Sequence, residues 1–412
     1  MRHLRVAFTP RLLAPWLSMV VVACSSESLS PGGGSEHAMD PTLDAARAVA
    51  ESVLGQAGEV ATLRTIYDPS YDGSGRPLYP TAFAWNPTAD DELWITLREP
   101  PSNQECDNGT TVACTWLMGR VAIVTGATLA PEEEPKVVIK MDANAWHFMR
   151  RPTSIAWGEK DSFATCAEAR TSNYEDESIP FNGPVLWSAD PAIFGAPPPP
   201  KSPTGSTHID MLHESPYCMG IAHERDNVYW TFNGDAGSLD RYDFHAPHEP
   251  GGDDHTDGEL WRYAMGSLAR LPDVPSHLVL DPATGLLYVA DTGHGRIVAL
   301  DTTTGRADGD VVEYDGIATH ALMTDAVLSP VVPPGLLSQP TGLALYRGVL
   351  FVTDFATGTI AAFDTSGRRV ASRDTYLTDA LGGIGVGPDG RAYFTDRSTG
   401  RVLRYETPSN SE

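Results

Sequence analysis

The sequence predicts an all-β fold, a six-bladed β-propeller of four-stranded antiparallel blades preceded by one short N-terminal helix. Three observations carry that expectation. Short alternating strands return at a period of roughly 40 to 50 residues, the spacing of blades that bury their faces only against one another. Gly 38 and Pro 33 in 412 residues supply the turns that such a chain needs. Only Asp44 to Gln56, with Ala45, Val49, Val53 and Leu54 on one face, has helical spacing, and a short helix is expected within residues 44–59.

The best-formed unit opens at Pro275-Ser276-His277-Leu278-Val279-Leu280-Asp281, continues through Leu287-Tyr288-Val289-Ala290-Asp291 and closes with Gly295-Arg296-Ile297-Val298-Ala299-Leu300-Asp301. The same template returns from Pro340-Thr341-Gly342-Leu343 with Leu350 to Asp354, and from Gly383-Ile384-Gly385-Val386 with Ala392 to Asp396. Upstream, looser copies open at Pro80-Thr81-Ala82, Pro152-Thr153-Ser154 and Cys218-Met219-Gly220. Their third strands are expected at Arg120 to Val124, Pro184 to Ser188 and Ser238 to Tyr242. These units resemble the NHL repeat, and the resemblance implies a six-bladed propeller over residues 60–407. Val60 to Ile66 is expected to supply the outer strand that closes the ring with the last blade, leaving 408–412 as a tail. A seventh blade would have to lie hidden around Asp310 to Leu337.

The N-terminus points to export. Arg2 and Arg5 precede an apolar stretch from Leu12 to Val22 that is too short to span a bilayer, the pattern of a signal peptide over residues 1–23. Val21-Val22-Ala23-Cys24 resembles a lipobox, which implies lipidation at Cys24. Ser25, Ser26, Ser28, Ser30 and Gly32 to Gly34 follow, so residues 24–43 read as a flexible tether. Ser25, in place of an aspartate, suggests an outer-membrane lipoprotein on the periplasmic or cell-surface side. With Cys24 used for lipid, Cys106, Cys114, Cys166 and Cys218 remain, an even set in an oxidising compartment. Three connectivities are possible; the favoured one joins Cys106 to Cys114 and Cys166 to Cys218.

Charge narrows the partners. Lys and Arg total 29 against 54 Asp and Glu, a net charge of −25, which disfavours nucleic acid and anionic lipid surfaces.

Candidate chemistry is sparse. The second strand ends on an aspartate at Asp291, Asp354 and Asp396, each expected to hold its own turn; the matching positions in the first three blades read as Leu97, Cys166 and Phe232. Long insertions follow Arg98 and Ala167, on the face where the loops entering each first strand also lie, and loops on a rigid scaffold are where binding is built. His147, His213 and His277 form a candidate channel-mouth zinc site on that face, with His294 nearby. The peptide-amidating lyases are propellers that hold zinc through histidines directly after the blade-opening prolines. Here those positions are Thr81, Thr153, Ser276 and Thr341, and His277 stands one place further on. Asp253, Asp254 and Asp257 form a candidate calcium loop after the third strand of blade three. Trp85, Trp157 and Trp187 read as packing between blades. There is no Gly-x-Ser-x-Gly elbow, phosphate loop or dinucleotide fingerprint. Two functions are therefore expected: a binding or scaffold module for a protein, peptide or carbohydrate ligand, or a metal-assisted lyase or lactone hydrolase at the mouth of the channel.

Overall fold

A computed structural model describes residues 40–59, 61–69, 78–99, 118–130, 132–159, 161–172 and 179–407. Six antiparallel units repeat around a central axis. Blade one is Tyr79–Trp85, Glu92–Arg98, Arg120–Thr125 and Lys136–Lys140. Blade two is Pro152–Trp157, Ser162–Ala167, Val185–Ser188 and His208–Met211. Blade three is Cys218–Arg225, Val228–Asn233, Ser238–Asp243 and Glu259–Tyr263. Blade four is Leu278–Asp281, Leu286–Asp291, Arg296–Asp301 and Leu328–Val332, and blade five is Pro340–Tyr346, Val349–Asp354, Thr359–Asp364 and Arg369–Asp374. Blade six takes Leu381–Val386, Ala392–Asp396 and Arg401–Glu406 from the C-terminus and Thr62–Tyr67 from the N-terminal side. Thr62 lies opposite Glu406, so the ring closes as the sequence predicts.

The proline-hydroxyl-glycine openings are explained by how blades meet at the axis. Thr81 Oγ1 donates to Pro152 O (3.0 Å), Thr153 Oγ1 to Cys218 O (2.7 Å) and Thr341 Oγ1 to Pro275 O (2.7 Å), each a bond to the backbone of a neighbouring blade. These carbonyls are buried at the ring's centre, where an unmade bond would cost about 1–3 kcal/mol. Gly342 sits so close to blade six that a Cβ there would stand 2.3 Å from Gly382 O, which only glycine permits. Between blades the faces are apolar: Trp94 meets Trp157 edge-on at 5.1 Å and also Phe163 at 5.1 Å, and Trp85 meets Tyr393 at 4.9 Å.

The region from residue 306 to 337 holds no seventh blade. Arg306–Asp310 and Thr319–Thr324 form a hairpin whose second strand pairs in parallel with Glu259–Tyr263, extending blade three to six strands, while Leu328–Val332 completes blade four. Helix α1 (Pro41–Leu54) starts slightly earlier than its apolar periodicity predicts, because proline suits a first helical turn. It buries Ala46, Ala50, Val53 and Leu54 against a cluster that includes Phe351, Phe394 and Tyr405. Arg373, from blade five, donates through Nε to Leu54 O (3.0 Å) and through Nη2 to Gly55 O, a cation at the helix C-terminus. No described helix is long and apolar enough to cross a membrane.

Candidate functional site

The Cys166–Cys218 disulfide joins blade two to blade three, as the favoured pairing predicts. Cys24, Cys106 and Cys114 lie outside the described residues. Strand register revises the comparison of second-strand ends. Pro340 pairs with Asp354, and the matching pairs are Pro80 with Leu97, Pro152 with Ala167 and Cys218 with Asn233. Blade two therefore carries Ala167, and blade three Asn233, where sequence spacing pointed to Cys166 and Phe232. Asn233 does the work of the template aspartate: its Oδ1 accepts from Asp235 N and Ala236 N, both at 3.0 Å.

Blades one and two depart further, at the residue after the matching position. Arg98 and Glu168 are buried and bonded to each other, Nη1 to Oε2, at 3.0 Å. Arg98 Nη2 also donates to Asp273 Oδ1 at 2.8 Å, reaching the loop that enters blade four. Arg151, before the first strand of blade two, donates to the same Asp273 oxygen and approaches Glu168 at 3.4 Å. Arg270 reaches Glu168 Oε1 at 3.3 Å and lies over the Tyr217 ring at 3.8 Å. Two carboxylates are thus shared among three guanidinium groups.

A fourth is left over. Arg397 follows the second strand of blade six, and its Nε and Nη1 atoms are buried with no hydrogen-bond partner. Burial, and then the charge of Arg98, pull its pKa down to about 9, so it stays cationic at neutral pH. Its nearest electronic partner is the face of Phe355, 5.4 Å from the guanidinium carbon. Tyr79, Arg98, Phe355, Asp379, Arg397 and Ser398 enclose a cavity of about 160 Å³. These residues open or precede first strands, or end or follow second strands, which is the face the sequence marks for function. Asp379 is exposed at the rim, in a left-handed conformation (φ 53°), as are Arg151 (φ 50°) and Asp273 (φ 66°) close by. A cation in a small recess, with Glu168 and Asp273 near enough to act on its charge but no acceptor on Nε or Nη1, is suited to hydrogen-bonding a carboxylate, phosphate or other oxyanion.

The histidines predicted for one metal site separate. His277 turns across the axis, its Nε2 donating to Thr153 O at 3.2 Å, and burial lowers its pKa to about 4. His147 and His213 do meet, with ring centroids 5.7 Å apart, and His213 Nδ1 donates to Asp315 Oδ1 at 2.7 Å. His294 is held by Asp291 Oδ2 at 2.9 Å. The proposed calcium carboxylates are occupied with their own loop: Asp254 Oδ1 accepts from Thr256 Oγ1 at 2.7 Å and Asp257 Oδ2 from Ala246 N at 3.1 Å, while Asp253 is exposed. Among the described residues these three do not converge as a ligand group. Sequence reasoning did not find Arg397. Its signal was the Asp-Arg pair at the end of the last second strand, Asp396-Arg397, where the other template blades have Asp291-Thr292 and Asp354-Phe355.

No family model matches the chain, and no curated protein sequence matches it. Solved structures do. An auxiliary nutrient binding protein from Bacteroides ovatus superposes with a TM-score of 0.50 at 10% identity, over 85% of this chain and 77% of that one. An auxiliary nutrient binding protein from Bacteroides thetaiotaomicron gives 0.48 at 11% identity, over 85% and 77%. Virginiamycin B lyase from Staphylococcus aureus gives 0.44 at 10% identity, over 84% and 99%. At these identities the likeness is one of fold, and the chain is a six-bladed β-propeller.

Proposed function

We propose that this propeller is a binding module whose channel mouth takes an anionic group of a peptide or carbohydrate ligand. The supporting observation is Arg397, with two buried nitrogens lacking an acceptor in a recess of about 160 Å³. That volume suits one carboxylate or phosphate, with the rest of the ligand lying outside along the rim, since sites that enclose a whole small ligand run to roughly 300–1,000 Å³. Binding is also what the printed name of the Bacteroides ovatus propeller describes, for that protein. The NHL-like openings at Pro275, Pro340 and Gly383 belong to the same proposal, as kinship of scaffold.

Isothermal titration on the full chain tests the site with matched pairs: an N-acetylated dipeptide and its C-terminal amide, and galacturonate and galactose. The charged member of a pair is expected to bind, and Arg397→Met to weaken it at least tenfold, about 1.4 kcal/mol or more. Equal binding of the neutral partners, or unchanged binding by Arg397→Met, would overturn the assignment.

Lipidation at Cys24 and a tether ending where helix α1 begins at Pro41 complete the proposal, holding the module at the outer membrane. Cys24→Ser should release the protein from the membrane fraction; retention there would refute the anchor.

A further inference from the structure

A second set of histidines lies on the flank of blade two, beside His213, whose ring centroid is 6.3 Å from that of His255. His208 opens the outermost strand of that blade, and its ring stacks on Phe148 at 3.9 Å. The loop 244–258 of blade three folds against the same strand: His248 N donates to Ile209 O at 3.1 Å and Gly251 N to His208 O at 2.8 Å. That docking brings His248 and His255 to His208, with ring centroids 4.9 and 6.0 Å from it. One nitrogen from each of the three lies within 4.8 Å of the others.

The hydrogen bonds around these rings select which nitrogens remain as ligands. His255 Nδ1 donates to Asp210 Oδ1 at 2.9 Å, and His248 Nδ1 donates to Glu249 O at 2.8 Å. In its neutral form each ring therefore carries its proton on Nδ1 and offers Nε2 as the lone pair. A carboxylate or carbonyl behind the ring is the usual arrangement for a metal-bound imidazole. His248 Nε2 is buried with no partner, and both nitrogens of His208 are buried with none. A polar atom without a partner at such depth costs about 1–3 kcal/mol, and one shared ligand would satisfy His208 and His248 together. A water molecule could bridge one such nitrogen, yet two preset acceptors converging on a third ring suit a cation better than a donor of two protons.

We infer that His208, His248 and His255 form a binding site for a divalent transition metal that fastens the blade-three loop to the outer strand of blade two. Three imidazoles and no carboxylate in the set favour zinc, copper or nickel over calcium or magnesium. Zinc needs its nitrogens at about 2.0–2.1 Å, which small rotations of the two loop rings would achieve, and three ligands leave a fourth position for water. The metal would add a second link between blades that Cys166–Cys218 already joins. The site is independent of the anion recess, and its failure would leave that assignment untouched.

The test strips the full chain with a chelator, dialyses it against zinc chloride and counts bound metal by atomic emission, with cobalt(II) visible absorption as a report of coordination. One zinc per chain is expected. His248→Ala and His255→Ala, both partly exposed positions, should each lower zinc affinity at least tenfold and abolish the cobalt spectrum, and His248→Ala, which leaves the His255–Asp210 bond in place, should keep the metal-free melting curve unchanged. His245→Ala, in the separate Asp243, His245 and Glu259 group, should leave binding intact. Absence of stoichiometric zinc, persistence in both His248→Ala and His255→Ala, or loss in His245→Ala alone would each overturn the inference.

Discussion

In blade five the carboxylate of Asp354 turns back on its own blade, accepting from Ser338 N at 2.5 Å, Gln339 N at 3.2 Å and Thr357 N at 3.3 Å. In blade two the matching backbone position is Ala167, and the next residue, Glu168, accepts instead from Arg98 of blade one, from Arg151, and from Arg270 in the loop before blade four. Asp396 repeats the first habit, holding Ser398 and Thr399 of its own turn. The difference shows where a repeat protein keeps its fold and where it builds a site. Local bonds make each blade a self-sufficient copy, whereas bonds exchanged between blades arrange charges at the axis that no single blade could hold. Blade three belongs with the first group, because Asn233 caps its own turn.

The sharpest way to break this contrast is Glu168→Ala. It leaves three guanidinium groups short of an acceptor in a buried network, and losing one partner of a buried pair costs about 3–5 kcal/mol. Denaturant unfolding should show that loss; a change below about 1 kcal/mol, the range of exposed pairs, would mean that the network is decorative.

His277 couples the two halves, since its blade-four ring bonds blade two at Thr153. Burial depresses its pKa from 6.5 to about 4. The unfolded chain therefore takes up a proton below about pH 6.5 that the folded chain refuses until about pH 4, and stability falls as pH drops through that window. The His277 contribution is on the order of 3 kcal/mol across the window. His277→Gln, which keeps an amide donor, should flatten the difference between melting curves at pH 7 and pH 4.5; an equal slope in the variant would place the acid sensitivity elsewhere.

Asp354→Ala should have the smallest effect, about 2 kcal/mol, because it removes one carboxylate from a turn that keeps the backbone bonds Phe355 N to Gln339 O and Gly358 N to Asp354 O. Its effect should also stay local. Hydrogen exchange should accelerate in 338–358 and nowhere in blades one to three, and spreading across the ring would erase the distinction between self-contained and shared polar bonds.

The fold was legible because its information is local. Pro-Thr-Gly at 340–342 places a hydroxyl against the preceding blade and a bare Cα against the next, and Asp354 closes the following turn, so short stretches suffice to mark a blade. Closure by a strand near residue 62 was legible for a similar reason, since the last blade had one strand too few. The register of the degraded blades was not: a bulge between Pro152 and Ser154 and another between Cys218 and Ile221 shift the count by amounts that spacing alone does not reveal. The candidate site was less legible still. Arg98 and Asp273 are 175 residues apart and meet only because the ring closes. The hairpin 306–324 leaves blade four to pair with blade three, a parallel contact without a sequence signature of its own. The rings of His147 and His213 lie 5.7 Å apart, while His277, expected as a third partner, bonds Thr153 O instead.

Ring closure also dictates an order of assembly. Thr62–Tyr67 is synthesised before any blade, but its partner Arg401–Glu406 is nearly the last segment made. Until then Ile66 and Tyr67, buried in the finished molecule, have no strand to cover them, and helix α1 waits almost as long, until blade five supplies Arg373. Nascent blades can form from their own hairpins as they emerge, whereas the seam pays the loop-closure entropy of almost the whole chain and forms last. During that interval an unpaired edge is exposed, and the seam is where misassembly with a second chain would begin.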